Sequence, residues 1–314
     1  MEKEWLIPAA FLLDLLIGDP RGMFHPVVLI GAVINRLEFL LASVFNNRRL
    51  AGVLLAGSTL LITGVVAYGV LWLAAEIHPV AGLVVAVWLA YTTLALRALH
   101  KESREVVRFV EQKRLAEARR SLAMIVGRET ANLDEEGILK ACIETVAENT
   151  SDGVIGPLFY LSIGGPVLAL LYKAASTLDS MVGYRDDIYR ELGWASARLD
   201  DLLNLLPARL TGMLMVLAAL FCGLDARGAW RVMLRDARKH ASPNAGFPEA
   251  AAAGALGVRL GGPAVYFGVP VDKPTLGDPI RPVTLASYHG TVRLMYLSSL
   301  FALGLAVWLV WLAC

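Results

Sequence analysis

In the stretch ETVAENTSDGVIGPLFYL, Glu144, Glu148 and Asp152 recur every four residues, with Asn149, Thr150 and Ser151 between the last two. On a helix these acidic positions would share one face. Such a stripe is unfavourable without a cation, and a hard divalent ion carrying a phosphate ligand would supply one. An exposed helix end, with Ser151 or Asp152 capping the next helix, accounts for the same residues without a ligand. A second set lies in RDARKHASPNAGFPEAAAAGALG. There Arg235, Asp236, Lys239 and His240 fall near one helical turn, Asn244 sits in a sharp turn, and Glu249 opens an Ala/Gly-rich helix. Arg and Lys beside a fresh helix N-terminus suit a phosphate. A basic surface helix drawn to anionic lipid fits equally well.

Two further polar sets adjoin apolar runs. Asp14, Asp19, Arg21 and His25 surround a Gly-Asp-Pro turn. The turn explains Asp19, whereas Asp14 inside an apolar run is costly and implies a partner or a task. Lys173, Ser176, Thr177, Asp179, Ser180 and Tyr184 form the other set. Asp200, Asp201 and Asn204 follow, and they also fit the wet face of an amphipathic helix.

The elements that position these residues belong to a membrane protein. Of 314 residues 56% are hydrophobic and only 18% charged, outside the usual soluble range. A net charge of +1 argues against a nucleic-acid partner. Cys142, Cys222 and Cys314 are far apart and form no CxxC pair, so they imply neither a disulfide framework nor a zinc site. Glu2, Glu4 and Asp14 argue against a cleavable signal peptide.

Ala51–Ala75 and Pro79–Leu99 read as a membrane hairpin, Leu294–Ala313 as a further span with Trp308 and Trp311 as interfacial anchors, and Pro207–Leu224 as a shorter one. Trp5–Ile17 is short for a span. Val27–Phe45 carries Asn35, Arg36 and Glu38 and is expected to lie on the membrane surface. Gly156-Pro157 and Gly164-Gly165-Pro166 interrupt the apolar run Gly153–Tyr172. If the basic segments 97–152 and 225–293 share the cytoplasmic side, the chain between them crosses an even number of times. Either Gly153–Tyr172 and Pro207–Leu224 both span, or neither does fully; broken or re-entrant elements favour the second arrangement. His100–Val126 and Asp225–His240 are expected as amphipathic helices, and 258–290, rich in Gly and Pro, as surface loop. The expected fold is all-α and polytopic, with amphipathic cytoplasmic helices and broken or re-entrant segments. It forms a single integral-membrane catalytic domain over 1–314, with a membrane hairpin 51–99, a cytoplasmic helical insert 100–152 and a polar motif region 173–206. A cytoplasmic region 225–292 and a C-terminal membrane helix 294–313 complete it. No Walker loop, GxGxxG, HExxH or GxSxG is present.

Four stretches in order, GDPRGMFHPVVLIG, ENTSDGVIGPLFY, YKAASTLDSMVGYRDDIYRELGWASARLDDLLNLLPARLTG and DARKHASPNAGFPEAAAAGALGVRLGG, closely resemble the signatures of the adenosylcobinamide-phosphate synthase family. The resemblance covers almost the whole chain. It implies an ATP-dependent amide ligase of cobalamin biosynthesis, seated in the cytoplasmic membrane with its site facing the cytoplasm. Its substrates would be adenosylcobyric acid and (R)-1-aminopropan-2-ol or its O-phosphate. ATP with Mg²⁺ would activate the carboxylate as an acyl phosphate, and other cobalamin-pathway enzymes become expected partners beside membrane lipid. For that chemistry, Asp19, Glu148, Asp152 and Asp179 are candidate Mg²⁺ ligands. Lys173, Arg235, Lys239, Asn149, Ser151, Ser180 and Asn244 are candidates for holding nucleotide and phosphates. His240, Glu249 and Asp236 are candidate catalytic groups, because a base must deprotonate the incoming ammonium. A polytopic transporter of a small anionic or corrinoid solute is the alternative, since Asp14 and the broken segment 153–172 also occur in such proteins.

Overall fold

The computed structural model describes residues 5–19, 25–183, 189–266 and 268–313. Arg21, Tyr184 and Arg185, like Glu2, Glu4 and Cys314, lie outside the described residues. The contacts divide the chain into two compact units. The first takes residues 1–95, 156–204 and 303–314, and the second takes residues 96–155 and 205–302.

The first unit contains α1 (Leu6–Ile17), α2 (Pro26–Val44), α3 (Arg48–Ile77), α4 (Pro79–Tyr91), α8 (Gly156–Val182) and α9 (Trp194–Leu203). Caps set the helix starts. Asn47 Oδ1 accepts from Leu50 N at 3.1 Å, and His78 Nδ1 accepts from Val80 N at 3.1 Å, each ahead of an apolar run. Pro26 and Pro79 occupy first-turn positions, where their missing N–H costs nothing. The Tyr91 hydroxyl donates to the Gly18 carbonyl and ties α1 to α4. Gly52 on α3 lies against the Leu192 carbonyl so closely that a Cβ there would stand 1.9 Å from its oxygen.

The second unit contains α5 (Leu96–Glu111), α6 (Leu115–Ala123), α7 (Glu135–Thr150), a π turn at Ser151–Ile155, α10 (Leu205–Phe221), α11 (Ala226–Asp236) and α12 (Gly246–Leu256). An antiparallel hairpin of β1 (Leu260–Tyr266) and β2 (Val269–Leu276) follows, and then α13 (Leu285–Ala313), which the second unit holds as far as Ala302. Its centre is α12. Residues 248–256 of this helix are all buried, because Ala and Gly let α10 and α11 close on it from both sides. Ala147, Met215, Ala219, Ala229, Met233, Ala251 and Ala255 form the core around it. Gly257, with φ +66°, ends the helix in the left-handed conformation that glycine adopts without steric cost.

Five helical stretches are long and apolar enough to cross a membrane: Pro26–Val44, Arg48–Ile77, Pro79–Glu111, Glu135–Val182 and Leu285–Leu312. With the bent pair Trp194–Leu203 and Leu205–Phe221 there are six among the described residues. The chain is therefore a helical, multi-pass membrane protein. Three expectations change. The Val27–Phe45 region is a span-length helix with Val28, Leu29, Phe39, Leu40 and Val44 exposed and Ile30 and Ile34 buried, so the face it turns outward is largely apolar. The 258–290 loop contains the β1–β2 hairpin, a two-stranded sheet whose extended strands accommodate Pro263, Pro270 and Pro274. His100–Val126 is two helices, α5 and α6, divided at Lys113, whose φ is +58°. In the apolar run after Asp152, the helix breaks at Gly164 and Gly165, whereas Gly156-Pro157 follows the π turn and starts α8 without a break.

Gly254 is the tightest point of the α11–α12 approach: a Cβ there would lie 2.4 Å from the Gly228 carbonyl oxygen. Gly254→Ala is therefore expected to lower stability by about 1–3 kcal/mol through overpacking. Thermal unfolding in detergent measures this, and an unchanged midpoint would contradict such close backbone packing.

Candidate functional site

The second unit gathers its buried charge at the first turn of α12. Glu249 is 4% exposed, although one turn of an Ala-rich helix offers it nothing but backbone. The charges come from elsewhere in the chain. His240, just past the 3₁₀ turn Ala237–Lys239, places Nε2 3.8 Å from Glu249 Oε1. Its Nδ1 accepts a hydrogen bond from Ser242 N at 3.1 Å, so the neutral ring carries its proton on Nε2, facing the carboxyl. Glu144, on α7 and 3% exposed, is paired with Arg128 from the α6–α7 connection and accepts from Gly261 N at 2.7 Å at the root of the hairpin.

The electrostatics follow from burial. Loss of water pushes the Glu249 carboxyl well above the ordinary glutamate value, and the negative charges of Glu144 and Glu148 push it further. Lys273 and Arg128 pull in the opposite sense without cancelling that effect. Burial lowers His240 below its ordinary value, and Lys273 lowers it further. Burial also opposes the charge of Arg128, but Glu144 outweighs it and holds the guanidinium above its usual value. The site thus contains a carboxyl group that retains its proton and an imidazole that resists one, facing each other. Facing groups shifted in this way are suited to proton transfer.

A second network borders it. Asp236, 1% exposed, accepts from Arg235 Nη2 at 2.7 Å, from Lys239 Nζ at 2.6 Å and from Gly277 N at 2.9 Å. Arg235 also reaches Asp278 at 3.0 Å. Burial alone would raise the Asp236 carboxyl, but these donors outweigh it and hold the group well below the usual carboxylate range. Asp236 is in this geometry an ionised anchor that fixes two half-exposed cations, Arg235 and Lys239, at the end of α11. Asn244 accepts from Arg209 Nη1 at 3.3 Å, and the same guanidinium lies over the Phe247 ring, 4.4 Å from its centroid.

The residues that sequence reasoning had grouped are drawn from both units. Glu148, Asn149, Ser151, Asp152, Arg235, Asp236, Lys239, His240, Asn244 and Glu249 belong to the second unit, and Asp19, Lys173, Asp179 and Ser180 to the first. Asn149 donates to the Thr145 carbonyl at 3.0 Å, and the buried Ser151 Oγ has no hydrogen-bond partner among the described residues. Ser180 donates to the Ser176 carbonyl at 2.9 Å, and Asp19 Oδ1 lies 3.6 Å from His25 Nε2. Glu144 and Glu148 lie on α7, and Asp152 lies in the π turn Ser151–Ile155 that follows it. Among the described residues no group of three or more His, Cys, Asp or Glu is arranged to hold a metal ion alone. Arg128, Lys273 and Arg209 were not anticipated. Nothing local marks them, since each gains its importance from a contact far along the chain.

Two outcomes test this electrostatic arrangement. Glu144→Ala leaves Arg128 buried and unpaired, which should cost about 3–5 kcal/mol in unfolding experiments; a loss below about 1 kcal/mol would show the pair to be hydrated. The second concerns pH. Above about pH 4.5 the folded chain holds a proton on Glu249 that the unfolded chain has released, so this group's stabilisation declines as pH rises toward its folded pKa. His240 acts oppositely: the unfolded chain binds a proton below 6.5 that the folded chain refuses, so its contribution improves as pH climbs to that value. Glu249→Gln removes only the declining component. The variant should gain on the wild type as pH rises, and a difference in melting temperature that stays constant between about pH 5 and pH 8 would contradict the assignment.

Residues 7–295 match the CobD/Cbib protein family. The chain is 57% identical over 295 residues to the cobalamin biosynthesis protein CobD of Geobacter metallireducens, covering 94% of this chain and 93% of that one. It is 48% identical to that of Listeria monocytogenes, with 94% of each chain covered, and 45% identical to that of Citrobacter koseri, with 96% and 95% covered. No solved structure matches. With a family match along nearly its whole length and relatives of this identity, the chain belongs to the CobD/CbiB family of cobalamin biosynthesis proteins.

Proposed function

We propose that this chain is the ATP-dependent amide ligase that joins the propionate carboxylate of adenosylcobyric acid to (R)-1-aminopropan-2-ol or its O-phosphate, at the cytoplasmic face of the inner membrane. The observation that carries the reading is the Glu249–His240 pair, buried and facing at 3.8 Å. An amine arrives protonated and cannot attack until a base takes its proton. A base held in a dry, cation-bordered recess answers that need.

The carboxylate would first accept the γ-phosphoryl group of ATP, giving an acyl phosphate and ADP. The Glu249–His240 pair then takes one proton from the ammonium, the free amine attacks the acyl carbon, and inorganic phosphate leaves as the C–N bond forms. Arg235 and Lys239, held at the end of α11 by Asp236, are suited to the phosphate charge. Mg²⁺ commonly takes one or two protein carboxylates and completes its shell with phosphate and water; Glu148 and Asp152 are the second unit's candidates to hold it. When bound, it would neutralise charge on the phosphoryl group.

The test is reconstitution of the purified chain with adenosylcobyric acid, aminopropanol phosphate, ATP and Mg²⁺, following the amide by mass. Wild type is expected to form the product, and Glu249→Gln to lose about 10²–10⁴-fold in kcat/KM while consuming no more ATP. Corrinoid flux into sealed vesicles without amide formation would contradict the reading.

A further inference from the structure

The second unit carries another concave site, remote in composition from the Glu249 cluster. A pocket of about 190 Å³ is lined by Glu136 and Lys140 of α7, by Arg259 between α12 and β1, and by Pro279, Arg281 and Val283 of the segment leading into α13. Three cations face one carboxylate. Lys140 meets Glu136 at 3.1 Å. Among the described residues, no carboxylate lies within the 4.0 Å of an ion pair from either Arg259 or Arg281, and both are exposed.

The pocket is built on fixed backbone. Arg281 N donates to the Gly257 carbonyl at 2.8 Å and Ile280 N to the Asp278 carbonyl at 2.9 Å, while Pro279 and Pro282 restrict the turn between them. Two guanidinium groups therefore flank a small cavity whose lining carries more positive charge than its one carboxylate, Glu136, can match. Guanidinium forks bind phosphate oxygens in pairs, and a cavity of this size admits a phosphate group with little beside it.

We infer that this pocket is a binding site for a phosphate group, held by Arg259, Arg281 and Lys140. The phosphate belongs to a soluble ester or a free anion if the pocket stands clear of the bilayer, and to a lipid headgroup if it lies within the interface. The polar start of α13 favours the first source. The nine residues from Leu285 to Arg293, with His289 and Arg293 exposed, rise about 14 Å before the mainly apolar run from Leu294 begins. The headgroup layer on one face of a bilayer is only about 5–8 Å deep.

The experiment uses the full chain in nanodiscs of phosphatidylcholine, with inorganic phosphate and pyrophosphate as calorimetric probes and without corrinoid or ATP. Saturable binding is expected, weakened about tenfold or more by Arg259→Ala or by Arg281→Ala and less by Arg259→Lys. Melting temperatures of the variants without ligand should match the wild type, which separates lost binding from lost fold. Discs containing phosphatidylglycerol distinguish the sources. Unchanged phosphate affinity supports a soluble ligand, and suppressed affinity supports the site while assigning it to a headgroup. Absence of binding, or equal binding by wild type and both alanine variants, overturns the inference. None of these readings depends on ligase activity, so they stand or fall separately from the proposed reaction.

Discussion

A carboxyl group moved from water into a protein interior must either find a cation or keep its proton, because an unpaired buried charge costs several kcal/mol. Glu249 sits at 4% exposure in a helix of alanines, and a histidine faces it 3.8 Å away. The cation that could have neutralised it, Arg128, is committed to Glu144. The packing of the second unit meets this constraint with parts drawn from four places: the α6–α7 connection, α7, the turn before α12 and the root of the hairpin. Each depends on close approach of small residues, since a bulkier α12 would hold α10 and α11 away and admit water to the carboxyl.

The two networks divide the labour. Asp236 is surrounded by donors and stays ionised, so it serves as a fixed anchor for Arg235 and Lys239. Glu249 lacks such donors and stays ready to exchange a proton. Two acids on neighbouring elements, thirteen residues apart in sequence, thus acquire opposite behaviour from their surroundings alone. The same contrast explains why residue type was a poor guide to role.

Much of the fold was legible because hydropathy and length report directly on the membrane. The last span and the Gly-Gly break in α8 follow from runs of apolar residues and one helix-breaking pair, whereas the hairpin expected over 51–99 is α3 and α4 and its second helix ends at Tyr91. The α2 region was read as a surface helix since Asn35, Arg36 and Glu38 lie close together in sequence, although the outward face of the finished helix is largely apolar. The hairpin was missed because its prolines and glycines signal turns more strongly than its short alternation signals strands. Within the site, His240 and Glu249 were visible as chemistry adjacent to a turn. Glu144 was seen only as part of an acidic row, and its actual partners, Arg128 and Gly261 N, are contacts that no local pattern encodes.

Difference infrared spectroscopy of the wild type against Glu249→Gln, followed across pH, measures the central claim most directly. The account predicts a protonated-carboxyl stretch assignable to Glu249 at pH values where a solvated glutamate has already ionised. A carboxylate signal alone, titrating at the ordinary value of 4.5, would contradict it.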